Sequence, residues 1–304
     1  EMLRSLVGSE MCIRDSCRAQ GVPLLVDNAH GAYLRFLPQN CHPIAQGAVM
    51  CCDSAHKTLP VVTGGAYLHL AHDAPVQDEA AVRGALALFG STSPSYLILQ
   101  SLDACNAVLA GDYPRRLAQC CAALESLRRS LNKAAAVRQC PVPLAVAGTQ
   151  QEPMKLTLDA AALGCTGTAL AEALRRAQME CEYADPRYVV LMFTPENPPQ
   201  DYTRLQTALE QLLAAVPAGL PRPENRAGEF AALQQQAVQR CTIRQAVLGA
   251  QVRVPVHKAL GRVCAMPTVS CPPAIPVAVS GEEITPAAIA LMQRYGIEEL
   301  SVLR

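Results

Sequence analysis

Residues Gly47 to Lys57 read GAVMCCDSAHK, and this stretch decides how the chain is interpreted. It opens with an apolar run, Gly47 to Cys52, that is typical of a buried strand. It ends in Lys57, and only three other lysines occur in the chain. An amine at the exit of a buried parallel strand lies where α/β sheets bind ligands, and partial desolvation makes it more nucleophilic. The stretch therefore predicts a lysine that forms a Schiff base.

A second apolar run, Val22 to Val26, lies upstream and delivers Asp27. A carboxylate at one strand end and a lysine at the next are what a pyridoxal phosphate site needs. The carboxylate keeps the ring nitrogen protonated, so that the ring can accept the electrons of a carbanion. Spacing alone also allows a second interpretation, in which Lys57 is a surface lysine and Asp27 is a turn residue or a helix cap.

Six short strings occur in an order that resembles the bacterial ornithine/lysine/arginine decarboxylases, a family of fold-type-I pyridoxal phosphate enzymes. The first three are DNAHG at 27–31, SAHKTLP at 54–60 and STSPSY at 91–96. The others are EPMKL at 152–156, GCTG at 164–167 and PTVSCPPAIP at 267–276. The resemblance covers nearly everything from about residue 17 onward.

The resemblance implies roles for individual residues. Lys57 is implied to bond to pyridoxal 5'-phosphate, Asp27 to pair with its pyridinium nitrogen, and Ala29 to pack against its ring. The other implied cofactor contacts are His30, the phosphate-binding pair Ser54 and His56, and Thr92 and Ser93, which reach the cofactor of a neighbouring subunit. A site shared in this way implies a homodimer or a higher homo-oligomer.

Two positions depart from the family pattern. Asn28 stands where the family often has an acidic or other residue, and Glu152 stands where it has an aspartate. Neither position takes part in bond breaking, so the departures weaken only what the resemblance implies about the substrate.

The implied fold is α/β. It comprises the C-terminal part of an aspartate aminotransferase-like, fold-type-I large domain, then a small α/β domain and a decarboxylase-type α+β domain. The predicted boundaries are 17–112, 113–216 and 231–304, with a Pro/Gly linker at 217–230. Predicted strands are 23–27, 48–53, 65–69, 142–146, 155–158 and 188–193. Predicted helices are 96–109, 113–133, 167–178, 201–216 and 285–295, with a further helix starting at Ala227.

The first sixteen residues call for a separate explanation. Leu6 to Ser16, LVGSEMCIRDS, matches one reading frame of a common transposase sequencing adapter, so we interpret residues 1–16 as an assembly artefact. In the family, a Gly/Ser/Thr-rich phosphate loop and a histidine that stacks on the ring precede the aspartate. We see neither before Asp27, and we expect a chain that folds poorly and binds the cofactor weakly.

Composition excludes several classes of protein. Net charge is zero, which argues against a nucleic-acid partner, and the longest uncharged stretch, Gly84 to Leu102, is broken by Pro94, which argues against a membrane span. Charged residues make up 17%, below the roughly 25% of soluble domains, as expected for an oligomer. The 14 cysteines contain no Cys-x-x-Cys pair, so we predict reduced, buried thiols in a cytoplasmic protein and no metal site.

We predict, for the full-length parent of what we interpret as an N-terminally truncated chain, α-decarboxylation of arginine, lysine or ornithine to the amine, a reaction of polyamine metabolism. Two alternatives stay open: a catalytically silent fragment or interaction protein, and another fold-type-I reaction such as transamination or aldol cleavage. Glu182 and Asp185 are candidates for binding the distal cation of the amino acid substrate. Glu282 and Glu283 are expected in a solvated loop, and His42 and His69 on the surface or in hydrogen-bonded core positions.

Overall fold

A computed structural model describes residues 13–76, 78–147, 152–217, 219–221, 223, 233, 235–270 and 275–304. The chain forms two compact units. The first comprises Glu1–Ser130, Ala147–Leu156 and Met192–Thr207, and the second comprises Leu131–Val146, Thr157–Leu191 and Ala208–Arg304. The domain boundaries predicted from sequence stay predictions, and most of the adapter-like segment lies outside the described residues.

The first unit contains a three-stranded sheet in the order β1-β2-β3. β1 (Leu25–Asp27) is parallel to β2 (Met50–Asp53), and β2 is antiparallel to β3 (Tyr67–Leu70). Cys51 and Asp53 are buried while Cys52 between them is exposed, so β2 is buried on one face only. The apolar run therefore becomes an alternating strand rather than one buried on both faces.

The helices that begin in this unit follow the sheet along the chain. They are α1 (13–19), α2 (Ala55–Thr58), α3 (Glu79–Phe89), α4 (Tyr96–Ala110), α5 (Tyr113–Val137) and α7 (Pro199–Ala214). A 3-10 helix, Ala32–Phe36, follows β1. An apolar cluster forms where this helix meets α2, α4 and α5, and it includes Tyr33, Ala55, Cys105 and Leu117.

A second sheet, in the order β4-β6-β5, lies largely in the second unit. Its strands are β4 (Lys155–Asp159), β5 (Tyr183–Ala184) and β6 (Tyr188–Met192), with α6 (Gly167–Arg176) between β4 and β5. A Cβ at Gly167 would lie 2.3 Å from the carbonyl oxygen of Asp185, so only glycine permits this close approach.

The C-terminal part of the second unit, residues 235–270 and 275–304, has its own apolar core. Its elements are α8 (Ile243–Leu248), β7 (Gln251–Pro255), a 3-10 helix (Val256–Lys258), β8 (Thr268–Ser270), β9 (Ile275–Ala278), α9 (Pro286–Arg294) and β10 (Glu299–Leu303). β7 pairs with β10 and β8 with β9, both antiparallel. The buried side chains include Val254, Met292, Leu300 and Val302.

Several elements differ from the sequence predictions. Residues 142–146 do not form a strand, because only Ala145 bridges Leu158. The predicted solvated loop at Glu282 and Glu283 is wrong: both side chains are half-buried, and each residue forms an isolated bridge. The helix predicted from Ala227 begins outside the described residues. Among the described helices, none is long and apolar enough to cross a membrane.

Candidate active site

The parallel pairing of β1 with β2 brings the two predicted key residues to one edge of the sheet. Asp27 is the last residue of β1 and lies in register with Cys52, so both strands end together. α2 starts two residues after β2 and carries Lys57, which is half-buried, whereas Asp27 is exposed. The Lys57 N–H donates to the Ser54 carbonyl oxygen at 3.1 Å, which keeps the connection tight.

His30 lies in a positively charged environment next to this edge. Burial, followed by the charges of Lys155, Lys57 and His56 in that order, lowers its pKa to about 4. The ring is therefore neutral at physiological pH. The charge of Lys155 thus acts on His30, although the sequence assigns Lys155 no role.

The orientation of His56 follows from one hydrogen bond. Its Nδ1 lies 3.0 Å from the Gly65 carbonyl oxygen, which can only accept, so Nδ1 carries the proton. Nε2 is then the ring atom that remains for a ligand. Ser54 occupies the N-cap position of α2, but its hydroxyl makes no capping hydrogen bond. Both residues therefore keep polar atoms that the helix itself does not use.

Thr92 and Ser93 lie apart from these residues. They are exposed in the connection between α3 and α4, where the Ser93 N–H donates to the Ser91 hydroxyl at 3.1 Å. In the part of the chain that the structure describes, no hydrogen bond joins either of them to the Lys57 edge. Their predicted contact with a neighbouring subunit stays a prediction.

Sequence reasoning assigned no role to Asp53, the last residue of β2. It is 2% exposed, and its carboxylate is surrounded by polar side chains. The Asn28 amide donates to Oδ1 at 2.8 Å, and the Nε2 atoms of His42 and His69 lie 3.0 and 2.9 Å from Oδ2. The prediction of a hydrogen-bonded core position is confirmed for His42.

The charge state of Asp53 follows from these contacts. Burial alone would raise the pKa of the carboxyl, but hydrogen bonds from His42, His69 and Asn28 outweigh burial and hold the pKa well below its ordinary range. Asp53 is therefore an ionised carboxylate inside the protein. The signal in the sequence was a lone acidic residue closing an apolar run, but the sequence could not show which donors surround it.

A second polar group that the sequence did not reveal links distant parts of the first unit. The Tyr33 hydroxyl donates to Glu152 Oε1 at 3.1 Å, and Lys155 Nζ lies 2.6 Å from Glu152 Oε2. Tyr33 is fully buried, and burial followed by the Glu152 charge raises the pKa of its hydroxyl well above the ordinary range. The EPMKL string thus supplies a carboxylate and an amine that position each other.

Asp185, a candidate for cation binding, already accepts hydrogen bonds from neighbouring residues of the protein. Its carboxylate is buried and accepts from the Tyr183 hydroxyl at 2.8 Å and from the backbone N–H groups of Arg187 and Tyr188 at 2.7 and 2.6 Å. These bonds hold the turn between β5 and β6. Glu182 is exposed, and its backbone N–H donates to Val190.

The residues at this edge of the sheet have the chemical groups that bind pyridoxal phosphate. An amine and a carboxylate lie at adjacent parallel strand ends, which are the groups that bond to the cofactor's aldehyde and pair with its ring nitrogen. Ala29 places a small side chain in the connection after β1. The Ser54 hydroxyl and His56 Nε2 lie next to Lys57 in the chain; the hydroxyl can donate to an anion, and Nε2 can do so when the ring carries both protons.

Comparison with known proteins identifies relatives of the chain. Residues 7–200 match the model of the Orn/Lys/Arg decarboxylase major domain. The chain is 30% identical over 283 residues to the uncharacterized protein YaaO of Bacillus subtilis, a match that covers 90% of this chain and 56% of that protein. It is 27% identical over 270 residues to a Bacillus subtilis arginine decarboxylase, covering 87% and 54%. The chain thus spans about half the length of these curated relatives.

Solved structures show the same fold. The lysine decarboxylase LdcF of Francisella novicida superimposes with a TM-score of 0.66 at 17% identity, covering 92% of this chain and 53% of that one. The constitutive lysine decarboxylase of E. coli gives 0.66 at 18% identity, covering 93% and 55%. The predicted α/β, fold-type-I class is confirmed. With the match over residues 7–200, it follows that the chain belongs to the Orn/Lys/Arg decarboxylase family.

Proposed function

We propose that this chain carries the lysine that bonds to pyridoxal 5'-phosphate and the carboxylate that pairs with its ring nitrogen. We propose further that the reaction is α-decarboxylation of arginine, lysine or ornithine to the matching amine. The observation that carries the proposal is the parallel register of β1 and β2, which places Asp27 and the Lys57 helix at one sheet edge in a member of this family. Bound there, the cofactor would supply an electron-accepting ring.

The residues of the chain have separate tasks in this proposal. The Lys57 amine holds the cofactor covalently, and the Asp27 carboxylate holds a proton on the ring nitrogen. His30, whose pKa is lowered to about 4 by burial and by the charges of Lys155, Lys57 and His56, offers a neutral imidazole rather than a second cation beside the amine. Ser54 and His56 bind the phosphate, with His56 oriented by the Gly65 carbonyl.

Covalent labelling tests the assignment of Lys57. The chain is incubated with pyridoxal phosphate, reduced with borohydride and mapped by mass spectrometry. We expect the label on Lys57 and its loss in Lys57→Arg. The matched control is Lys258→Arg, which removes an exposed lysine from the second unit and should leave labelling intact. A label on Lys133, Lys155 or Lys258 in place of Lys57 contradicts the assignment.

Product analysis tests the reaction. The chain is given carboxyl-labelled arginine, lysine and ornithine. We expect labelled CO₂ with equimolar agmatine, cadaverine or putrescine from at least one substrate, and a large loss of rate in Asp27→Asn. Keto acid without CO₂ would instead identify a transaminase.

We also propose a homodimer or a higher homo-oligomer in the cytoplasm, with a role in polyamine metabolism. Large apolar side chains flank the Thr92–Ser93 connection and are exposed in the single chain: Leu88 is 78%, Phe89 92% and Tyr96 83% exposed. Exposure on this scale favours burial against another surface. The twelve described cysteines are all free thiols, as suits a reducing compartment. Light scattering at several protein concentrations tests the oligomeric state.

A further inference from the structure

Five side chains meet at the buried end of β2, and we call them the Asp53 cluster: Asn28, His42, Cys51, Asp53 and His69. Cys51 and Asp53 lie two residues apart and so on the same face of β2, and His69 lies opposite Cys51 on β3. Cys51 and His42 are 1% and 4% exposed. Three members of the cluster lie in β2 and β3, His42 comes from an irregular connection, and the His69 side chain is 40% exposed.

Every member of the cluster other than Asp53 acts as a donor. The Ile44 N–H donates to Nδ1 of His42 at 3.3 Å, so the proton of the neutral ring is on Nε2 and points at Asp53 Oδ2. The Cys51 thiol donates to Oδ1 at 3.4 Å, and burial followed by the Asp53 charge raises the pKa of this thiol well above its ordinary range. Asp53 thus accepts from four side chains.

A metal ion is the competing explanation, because donor atoms of His42, Cys51 and Asp53 lie within 4.8 Å of one another. A metal bound at Nε2 of His42 would move the ring proton to Nδ1, where it would face the Ile44 N–H. Two donors would then point at each other. The hydrogen bonds therefore favour a carboxylate that accepts from surrounding donors over a metal site.

The cluster connects the two strand ends that carry the proposed cofactor contacts. Asn28 directly follows Asp27, and Asp53 directly precedes Ser54 at the start of the Lys57 turn. A backbone bond from the Asn28 N–H to the Cys52 carbonyl, 2.8 Å long, reinforces the link. The Asn28 side chain lies close to Gly31, where a Cβ would be only 2.0 Å from its Oδ1 atom, so this arrangement requires glycine at position 31.

We propose that Asp53 is a positioning residue that fixes Asp27 relative to Lys57 through its hydrogen bond to Asn28. The roles of Asp27 and Lys57 in this statement rest on the proposed function, whereas the clamp between the two strand ends does not. The proposal explains why an amide occupies position 28: a carboxylate 2.8 Å from ionised Asp53 would repel it.

Hydrogen exchange tests the clamp without any cofactor. The variants are Asn28→Asp, Asp53→Asn and the double variant Asn28→Asp/Asp53→Asn. The double variant again has a carboxylate facing an amide. Each single variant should raise amide exchange at least tenfold in peptides covering 25–31 and 54–59, and the double variant should recover part of the protection. Effects of the two single variants that merely add in the double variant would overturn the proposal.

Asp159→Asn is the matched control, because Asp159 is also a buried carboxylate but pairs with Arg187 in the second unit. It should leave exchange in both peptides unchanged, and an equal rise there would mean that any buried carboxylate has this effect. Should Asp53→Asn fail to fold, Asn28→Ala removes a single donor and carries the same test.

A second measurement connects the clamp to Lys57. Borohydride-trapped label on Lys57, divided by label on exposed Lys258, should fall at least tenfold in Asp53→Asn and stay constant in Asp159→Asn. An unchanged ratio in Asp53→Asn overturns the positioning role. If wild-type Lys57 takes no label, the proposed function is wrong, while the exchange data still decide whether the clamp exists.

A thermal melt with added zinc tests whether the Asp53 cluster is a metal site instead. Added Zn²⁺ should leave the melting temperature of the wild-type chain where it is. If Zn²⁺ raises the melting temperature of the wild type but not that of Cys51→Ser, the cluster is a metal site and the proposal is overturned.

Discussion

The C-terminal core of the second unit and the β1-β2-β3 sheet of the first are stabilised by different means. Val254, Met292, Leu300 and Val302 exclude water from the C-terminal core and use almost no polar atoms. The small sheet leaves Leu25 62% exposed and places an ionised carboxylate at its buried end. Apolar burial is non-directional and gives stability, whereas hydrogen bonds to one carboxylate give fixed directions. In the sheet next to Lys57, the hydrogen bonds of Asp53 thus fix the directions of side chains more than they add to the stability of the fold.

The largest effect should come from the apolar core. Met292→Ala removes a side chain with no exposed surface and should lower the free energy of unfolding by about 2–5 kcal/mol. Urea unfolding measures it. The matched control is Leu248→Ala in the same part of the chain, where the side chain is 72% exposed and a change within about 0.5 kcal/mol is expected. Equal losses would remove the contrast between the two regions.

A smaller loss is expected when the central acceptor of the polar cluster is removed. Asp53→Ala leaves buried His42, Cys51 and the Asn28 amide without their acceptor, which should cost about 1–3 kcal/mol in the same urea experiment. Since the proposed role is positional, Lys57 labelling should suffer more than stability does. A variant that loses stability but keeps full labelling would mean that the sheet needs the carboxylate only for folding.

The pH dependence of stability sharpens the comparison between the two regions, because His30, which titrates between pH 4 and 6.5, lies in the first unit. The pKa of His30 is about 4 in the folded chain and about 6.5 when unfolded, so the unfolded state binds more protons between these values. Stability should therefore fall as the pH drops from 6.5 to 4, by about 1–2 kcal/mol after solvent screening is considered. His30→Gln should remove this component, measured as the difference between urea unfolding at pH 7 and pH 4.5. An unchanged pH slope in the variant would place the titrating group elsewhere.

The smallest effect on stability should come from the exposed apolar surface of the first unit. Phe89 is 92% exposed, so Phe89→Ser should change the free energy of unfolding by less than about 0.5 kcal/mol. Its effect should instead show in light scattering, as a smaller average mass at a given concentration. A loss of stability comparable with that of Met292→Ala would mean that this side chain is buried in solution.

Some of the site could be predicted because its signals are local. The apolar runs before Asp27 and before Asp53 indicate strands, and parallel strands deliver their final residues to one edge. The helix at Glu79–Phe89 was missed although it begins with a recognisable cap, since the Asp78 side chain accepts from the Ala80 N–H at 2.9 Å. None of its residues is buried in the single chain.

The rest depends on contacts that a sequence pattern does not encode. His42 contacts Asp53 from an irregular connection. Such a segment has no hydrophobic periodicity from which the direction of its side chains could be predicted. The same holds for residues 142–146, where the apolar pattern suggested a strand but only one bridge forms. Tertiary geometry decides in each case which polar group becomes a partner.

The hydrogen bond between Tyr33 and Glu152 also has a consequence for the order in which the protein assembles. The two residues are separated by 119 positions, whereas the Asp53 cluster draws only on Asn28 to His69. Closing a longer loop costs more chain entropy, so contacts of high sequence separation form late. During synthesis the clamp between β1 and β2 can form while the chain that carries Glu152 and Lys155 is still inside the ribosome. The ion pair of Glu152 and Lys155 is then added to an edge whose geometry is already set.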